Sequence, residues 1–242
     1  MDAIEIKELS KDFGDKKAVD SLSLNIQQDT LFALLGVNGA GKTTTIKMLS
    51  CLSRPSGGDA LVMGHSIIHD TQAVKALINV SPQETAIAPM LSTRENLEFS
   101  AGIYGYKSAE SAKMAQDMID QLNLSEIASK RARTLSGGWQ RRLSIAMALI
   151  TEPEVLFLDE PTIGLDVIAR RELWHIIENL KKKMTIILTT HYLEEALAIA
   201  DRIGIMAHGR LMAEGTADSL RAKAGTDDFE EAFIRIAEEE VK

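Results

Sequence analysis

The segment LFALLGVNGAGKTT, residues 31–44, decides the fold of this chain. Its first five residues form an apolar run that is typical of a buried strand, and the residues after it follow a helical pattern. Between them lies the spacing G-x-x-x-x-G-K-T, in which glycines let the backbone curl so that several N–H groups meet at a helix N-terminus. A strand, a glycine-rich loop and a helix in this order predict a phosphate-binding loop, and therefore binding of a nucleoside triphosphate.

The loop supplies a specific chemical group for each part of such a ligand. The ammonium group of Lys42 is expected near the β- and γ-phosphates, and the hydroxyl group of Thr43 is placed to bind Mg²⁺. The nucleotide-binding residues predicted in the loop are Gly36, Asn38, Gly39, Ala40, Gly41, Lys42, Thr43 and Thr44. A glycine-rich turn that only joins a strand to a helix is the alternative interpretation, and the complete strand-loop-helix context disfavours it.

A second motif, VLFLDE at residues 155–160, ends an apolar run in two carboxylates. The run does not alternate with polar residues, which is typical of a strand buried on both faces. Because a buried acid is costly unless it is paired or metal-bound, Asp159 is predicted to contact Mg²⁺ directly or indirectly. Glu160 is then free to deprotonate the attacking water, and it is the candidate general base. The alternative is that both acids cap the next helix.

The segment LSGGWQ at residues 135–140 identifies the family that this chain resembles. It resembles the signature motif of the ATP-binding-cassette family, in which a Ser-Gly-Gly turn opens a helix. In that family two cassettes pack head to tail, and the signature of one covers the ATP held by the loop of the other. The resemblance therefore implies that ATP is the nucleotide, that Ser136, Gly137 and Gly138 contact it, and that a second cassette is required. An identical copy is expected, and a different cassette is left open.

Four further residues take their predicted roles from this resemblance. Gln83 matches the glutamine that senses Mg²⁺ and the attacking water, in a loop that faces the membrane partner. Asp166 matches the aspartate at the dimer seam, and His191 matches the histidine that reaches the γ-phosphate. Phe13 occupies the place of the aromatic residue that stacks on adenine, although a single aromatic residue at a strand end is also typical of a core or hairpin position.

Three positions depart from the usual motifs of the family. Trp139 replaces a common Gln or Met of the signature, Val37 replaces a frequent Pro of the phosphate loop, and Val167 replaces a frequent Pro after the aspartate. None of these changes removes a group that the chemistry needs. Trp139 is compatible with two interpretations, contact at the dimer or membrane-partner seam and packing on its own helix.

Composition restricts where such a protein works. The chain has 242 residues, a formal net charge of −8 and a single cysteine, Cys51. The charge argues against a nucleic-acid partner, and the single cysteine fits a reducing compartment. The apolar runs are too short for a bilayer span, and the first twenty residues do not form a signal peptide. The expected location is therefore the cytoplasm, and the resemblance implies that the chain is peripheral to the inner face of the cell membrane through a separate transmembrane permease subunit.

The sequence predicts an α/β fold in one ATP-binding domain, residues 1–242. Strand-like pieces at residues 3–8, 21–26, 31–35 and 60–64 predict an N-terminal antiparallel β subdomain beside a P-loop NTPase core with a mainly parallel sheet. Helical spacing over residues 93–122 predicts an α-helical subdomain, a lobe at about 84–150. A strand is expected at 211–214, followed by a short helical extension at about 216–242. Its last part, residues 227–239, is interpreted as an amphipathic cover for the core.

Two classes of function compete at this point. One is the ATP-hydrolysing subunit of a membrane transporter, and the other is a soluble cassette ATPase of DNA repair, chromosomes or ribosomes. The interval between loop and signature holds only a compact lobe, unlike the long coiled coil of chromosome-type relatives, and the chain has one cassette, unlike most ribosome-type relatives. Transport is therefore favoured. A kinase is disfavoured, because the signature would then have no function. The segments PQE (82–84), LSTRENL (91–97) and FEEAF (229–233) resemble cassettes that drive exporters of antibiotics, sodium or lipid-linked compounds. A docking groove for the membrane subunit is expected near Gln83, Glu84 and the helical lobe.

Overall fold

The computed structural model describes residues 1–238. The strands are β1 (Asp2–Phe13), β2 (Lys16–Gln27), β3 (Leu31–Leu35), β4 (Gly57–Val62), β5 (His65–Ser66), β6 (Ile78–Ser81), β7 (Val155–Asp159), β8 (Thr185–Thr190), β9 (Arg202–Ala207) and β10 (Arg210–Gly215). The α-helices are α1 (Lys42–Leu49), α2 (Thr71–Leu77), α3 (Thr93–Ile103), α4 (Ser108–Gln121), α5 (Gly137–Leu149), α6 (Val167–Leu180), α7 (Leu193–Ile199), α8 (Ala217–Ala224) and α9 (Phe229–Glu238). These elements form two sheets with helices packed around them, which confirms the predicted α/β class.

The N-terminal sheet is antiparallel and has the order β2-β1-β4-β5. β1 and β2 form a hairpin in which Phe13 pairs with Lys16, so Phe13 lies at the hairpin tip. β1 is longer than the predicted residues 3–8, because its second half is paired with β2 through the backbone, although Leu9 is the only buried residue there. Exposed positions carry no hydrophobic alternation, so the pattern could not indicate this part of the strand.

The second sheet has the order β10-β9-β3-β8-β7-β6, and only β10 runs antiparallel to its neighbour. The grouping of residues 31–35 with the N-terminal strands was wrong in one respect, since β3 lies in the middle of this parallel sheet between β8 and β9. All five of its residues are buried, as expected for a strand covered on both faces. The carboxyl ends of β3, β7 and β8 meet at one edge, where Leu35 pairs with Thr190 and Asp159 with Thr189.

The helical lobe is built from α3, α4 and the signature helix α5. The predicted helical stretch of residues 93–122 is interrupted between Ile103 and Ser108, where Gly105 has a φ of +89°. Helical spacing alone could not place this break, because the apolar positions keep the same period on both sides. At its start, α3 has a capping box, in which Ser92 and Glu95 satisfy each other's backbone N–H groups.

The C-terminal elements cover the parallel sheet. The strand expected at residues 211–214 lies within β10. The helix expected at 227–239 begins at Phe229, and residues 239–242 of the predicted extension lie outside the described residues. Phe229 and Ile236 of α9 are buried in the main core, so the helix is amphipathic as expected. Over the part of the chain described, no helix has the length and apolar character needed to span a bilayer.

Candidate functional site

The phosphate-binding loop borders a cavity of about 410 Å³ at the carboxyl edge of the parallel sheet. Its lining brings together residues that are far apart in the sequence: Phe13, Lys16, Ala18, Asn38, Gly39, Gly41, Lys42, Thr43, Thr44, Gln83, Glu160 and Ile163. A second cavity of about 420 Å³ near α4 and α6 contains none of the predicted site residues. The two cavities have nearly the same volume, but only the first is lined by predicted site residues. The first cavity is therefore the candidate site.

The loop keeps its shape through glycines that no other residue replaces easily. Gly39 and Gly41 have φ values of +83° and +106°, in the region that L residues rarely adopt. A Cβ atom on Gly41 would lie 2.5 Å from the carbonyl oxygen of Ala18, whereas one on Gly39 would meet nothing within 4 Å. The backbone of the loop thus packs against β2 on one side and faces open space on the other. This open side is a concave surface for phosphate groups at the N-terminus of α1.

Lys42, Glu160 and His191 form a short chain of charged and polar contacts. Lys42 Nζ donates to the carbonyl oxygen of Gly36 at 2.7 Å and lies 3.4 Å from Glu160 Oε1. His191 Nδ1 lies 2.7 Å from Glu160 Oε2, and a carboxylate can only accept, so this nitrogen carries the proton. Glu160 also has a φ of +49°, an uncommon conformation for a residue with a side chain, and its N–H group donates to Thr189. The fold therefore holds the Glu160 carboxylate between the lysine and the histidine.

The residues predicted for a metal ion are oxygen donors in one place. The Thr43 hydroxyl group donates to Asp159 Oδ1 at 3.0 Å, and Thr189 donates to the same atom at 2.6 Å. Gln83 lines the same cavity as Thr43. A hydroxyl, a carboxylate and an amide oxygen suit a hard cation such as Mg²⁺, so the residues present fit that ion. Neither Asp159 nor Glu160 caps the next helix, since the cap of α6 is Asp166.

The signature residues and Asp166 lie outside this cavity. Ser136 is the N-cap residue of α5 and makes no side-chain cap hydrogen bond, and Ser136 and Gly137 are exposed. Asp166 Oδ1 accepts hydrogen bonds from the backbone N–H groups of Ile168 and Ala169. Within one chain, these residues therefore do not reach the phosphate loop, and the exposed turn at Ser136 is free to face another molecule.

Phe13 and Trp139 have surroundings that bear on their two interpretations. Phe13 is 57% exposed at the mouth of the cavity and is therefore no core residue. Trp139 is half-buried against the main core, and the guanidinium of Arg142 lies 4.7 Å from the centre of its ring. The packing of Trp139 on its own helix is thus present in the single chain.

Arg141 is a buried residue of the site that sequence reasoning missed. Its guanidinium group donates to the carbonyl oxygens of Pro82 and Gln83 at 2.7 and 2.6 Å. Burial lowers the pKa of Arg141, and the negative charge of Asp159 opposes this decrease. The available signal was its spacing, because Arg141 stands at i and i+4 with the buried Ile145 on α5. Arg141 thus connects the signature helix to the backbone of the Gln83 loop.

Comparisons with known proteins agree with this geometry. The family model described as ABC transporter matches residues 19–163. The chain is 43% identical over 226 residues to the daunorubicin resistance ATP-binding protein DrrA3 of Streptomyces coeruleorubidus, covering 93% of this chain and 72% of that protein. An ATP-binding subunit of an ABC transporter has the same fold with a TM-score of 0.84 and 27% identity, over 97% of this chain and 99% of that one. A dimeric bacterial ABC transporter cassette matches with a TM-score of 0.79 and 25% identity, over 88% and 98% of the two chains.

The chain belongs to the ABC transporter family, and it is an ATP-binding, ATP-hydrolysing subunit of a membrane transporter. Cassettes of this family form dimers and work with transmembrane components. The alternative of a soluble ATPase acting on DNA or ribosomes is not favoured by these matches.

Proposed function

We propose that this chain powers export across a membrane by hydrolysing ATP at sites shared between two cassettes. The observation that carries this proposal is the Glu160 carboxylate, held 3.4 Å from Lys42 Nζ and 2.7 Å from His191 Nδ1 beside the phosphate loop. An acid in this position is suited to activate water next to a terminal phosphate group. The direction of transport rests on the relatives named for drug resistance and on the exporter-like segments of the sequence.

The proposal assigns roles to the residues around the cavity. The loop N–H groups and Lys42 bind the β- and γ-phosphates, and Lys42 balances the charge that develops during attack. Glu160 removes a proton from the attacking water, while His191 and Gln83 position the γ-phosphate and the water. Phe13 stacks on the adenine from the hairpin tip, where its ring is exposed.

Thr43, Asp159 and Gln83 would hold Mg²⁺, which when bound neutralises charge on the β- and γ-phosphates. Thr43 and Asp159 are already joined by a hydrogen bond of 3.0 Å, so the two oxygens that would hold the ion lie side by side. Thr189 donates to the same carboxylate and thereby fixes its orientation from β8.

The exposed signature turn supports a head-to-tail dimer. Ser136, Gly137 and Gly138 cannot serve the loop of their own chain, so they are proposed to cover the nucleotide bound by a second cassette. Asp166 would lie at the seam between the two chains, and the exposed side chains of Val167 and Ile168 beside it would be covered there. An identical partner gives two equivalent sites, and a different cassette remains the second candidate.

A surface beside the Gln83 loop is proposed to bind the permease subunit. Exposed apolar side chains gather on α3 and on the chain before and after it, which is typical of an interaction surface. They are Met90, Phe99, Ile103, Tyr104 and Tyr106. Glu84 is exposed close by, and residues 84–150 would act as a lobe that transmits the nucleotide state to this surface. Docking here would place the chain at the inner face of the cell membrane.

Substitution of Glu160 tests the proposal most directly. Glu160→Gln is expected to stop turnover, to leave ATP binding intact, and to convert the chain from monomer to dimer with Mg-ATP in gel filtration with light scattering. Glu154→Gln, exposed just before the same strand, is the matched control and should behave as the unmodified chain. Hydrolysis by Glu160→Gln at the unmodified rate would refute the assignment of the base. A monomer at every ATP concentration would favour a different partner cassette, which co-purification from membranes identifies.

A further inference from the structure

Glu195, on α7, is a buried acid that the proposed mechanism does not use. Its side chain is 0% exposed, although it belongs to a charged residue type that is rarely buried without a partner. Its Oε1 atom accepts a hydrogen bond of 3.1 Å from the indole N–H group of Trp174. Its Oε2 atom makes no hydrogen bond with any described residue. A buried carboxyl group with one unsatisfied oxygen lowers stability, so its position requires another explanation.

The surroundings of this carboxyl group connect two segments of the catalytic site. The hydroxyl groups of Thr162 and Thr190 face it, and Thr162 Oγ1 is itself buried without a hydrogen bond among the described residues. Thr162 follows Glu160 by two residues, and Thr190 comes directly before His191. Glu195 thus lies next to two segments, the one that carries Glu160 and the one that carries His191.

Helix α6, which carries Trp174, also contacts the segment next to His191. Trp174 belongs to α6, which begins directly after Asp166. Arg170, one turn earlier on α6, lies 4.7 Å from the centre of the Tyr192 ring, and Tyr192 is next to His191. The helix that starts at the proposed dimer seam therefore contacts both Tyr192 and Glu195.

The electrostatic surroundings of the Glu195 side chain favour a neutral hydrogen-bonding group over a charged one. Burial raises the pKa of Glu195, and the negative charge of Glu160 raises it further. The hydroxyl groups of Thr190 and Thr162 and the N–H group of Trp174 partly offset that rise. An amide of the same shape should therefore be a close substitute for this carboxyl group, whereas a methyl group should not.

We infer that Glu195 is a positioning residue, which holds the segment that carries Glu160 against the segment that carries His191. Through Trp174 it also ties both segments to α6, so that a displacement of α6 at Asp166 is passed to His191. The inference rests on the proposed roles of Glu160 and His191, because Glu195 acts only through them.

The test compares three variants of the full chain in steady-state ATP hydrolysis. Glu195→Ala should lower kcat by about 10- to 100-fold, the loss expected from misplacing a reacting group by about 1 Å, with KM for ATP within about twofold. Glu195→Gln should restore kcat to within about threefold of the unmodified chain, because its amide keeps the shape and the hydrogen bonds. Glu154→Gln is the control, since its side chain is exposed and lies on neither α6 nor α7, and it should hydrolyse ATP normally.

Two further measurements separate a failure to fold from a failure of the inference, and a failure of the inference from a failure of the proposed function. If Glu195→Ala does not fold, Trp174→Phe removes the indole N–H group that donates to Glu195 Oε1 and should lower kcat by roughly 2- to 10-fold. A folded Glu195→Ala variant with normal kcat, or equal losses in Glu195→Ala and Glu195→Gln, would overturn the inference. Glu160→Gln is measured in the same assay: if it is inactive while Glu195→Ala is normal, the inference alone fails, and if it is active, the proposed function fails first.

Discussion

Replacing Arg141 with methionine should destabilise the chain and disturb the Gln83 loop at the same time. The side chain of Arg141 is only 4% exposed, and its guanidinium group donates two hydrogen bonds to backbone carbonyl groups, those of Pro82 and Gln83. Methionine has a similar length but no donor, so both carbonyl groups would lose their partner. The negative charge of Asp159 would also lose a nearby positive charge.

The magnitude follows from these contacts. A hydrogen bond to a charged group contributes about 1.5–3 kcal/mol, so two of them contribute about 3–6 kcal/mol. Removing the buried guanidinium also relieves its desolvation cost, which offsets part of this loss. We therefore expect the free energy of unfolding to fall by about 3 kcal/mol. For a chain of this size that corresponds to a decrease in Tm of roughly 6–12 °C.

Urea unfolding followed by circular dichroism measures this change, and ATP hydrolysis measures its effect on Gln83. Arg142→Met is the control, because Arg142 pairs with the half-exposed Glu172 and stacks on Trp139. Such contacts contribute about 1 kcal/mol, clearly less than the change expected for Arg141. An Arg141→Met variant whose free energy of unfolding lies within about 0.5 kcal/mol of the unmodified value would refute this reasoning.

Three further outcomes are expected. Gly41→Ala should lower the free energy of unfolding by at least about 2 kcal/mol, because its Cβ atom would overlap the backbone at a φ of +106°; Gly102→Ala, in open space on α3, should be neutral or stabilising by up to about 1 kcal/mol in the same urea titration. Lys42→Ala should weaken ATP binding by roughly 10- to 100-fold in equilibrium dialysis, and an unchanged Kd would contradict its role. Hydrogen bonds from Ser92 hold the pKa of Glu95 below its usual range, so the stabilisation by this carboxylate is complete above the pKa of an unfolded glutamate and is lost as the pH falls through the lower folded value. Glu95→Gln should therefore flatten the acid side of a plot of stability against pH, because it removes the carboxylate that accepts from the backbone N–H group of Ser92, and an unaltered slope would argue against the capping box.

The candidate site could be predicted largely because its groups lie at the ends of short, contiguous motifs. The loop at Gly36 follows a buried apolar strand, and Asp159 ends another. Parallel strands place such residues at one edge, so the motifs predict their own proximity. The resemblance to a family added the roles of Gln83, Phe13, Asp166 and His191, which no local pattern assigns.

Other features depended on contacts that no contiguous segment specifies. Residues 31–35 and 3–8 are both strand-like, and only the pairing of β3 with β8 and β9 assigned the former to the parallel sheet. Arg141 and Glu195 are ordinary polar residues in the sequence, and burial beside Gln83 and Trp174 gives them their importance.

The sequence by itself determined the phosphate loop, the acidic strand end and the α/β class, because spacing, apolar runs and glycines are properties of neighbouring residues. The tertiary structure alone decided which strands are adjacent, that Glu160 lies between Lys42 and His191, and that the Ser136 turn does not line the cavity beside its own loop. The physical reason is that burial and hydrogen bonding between distant segments depend on how the whole chain packs, and a side chain has no fixed partner until that packing is complete.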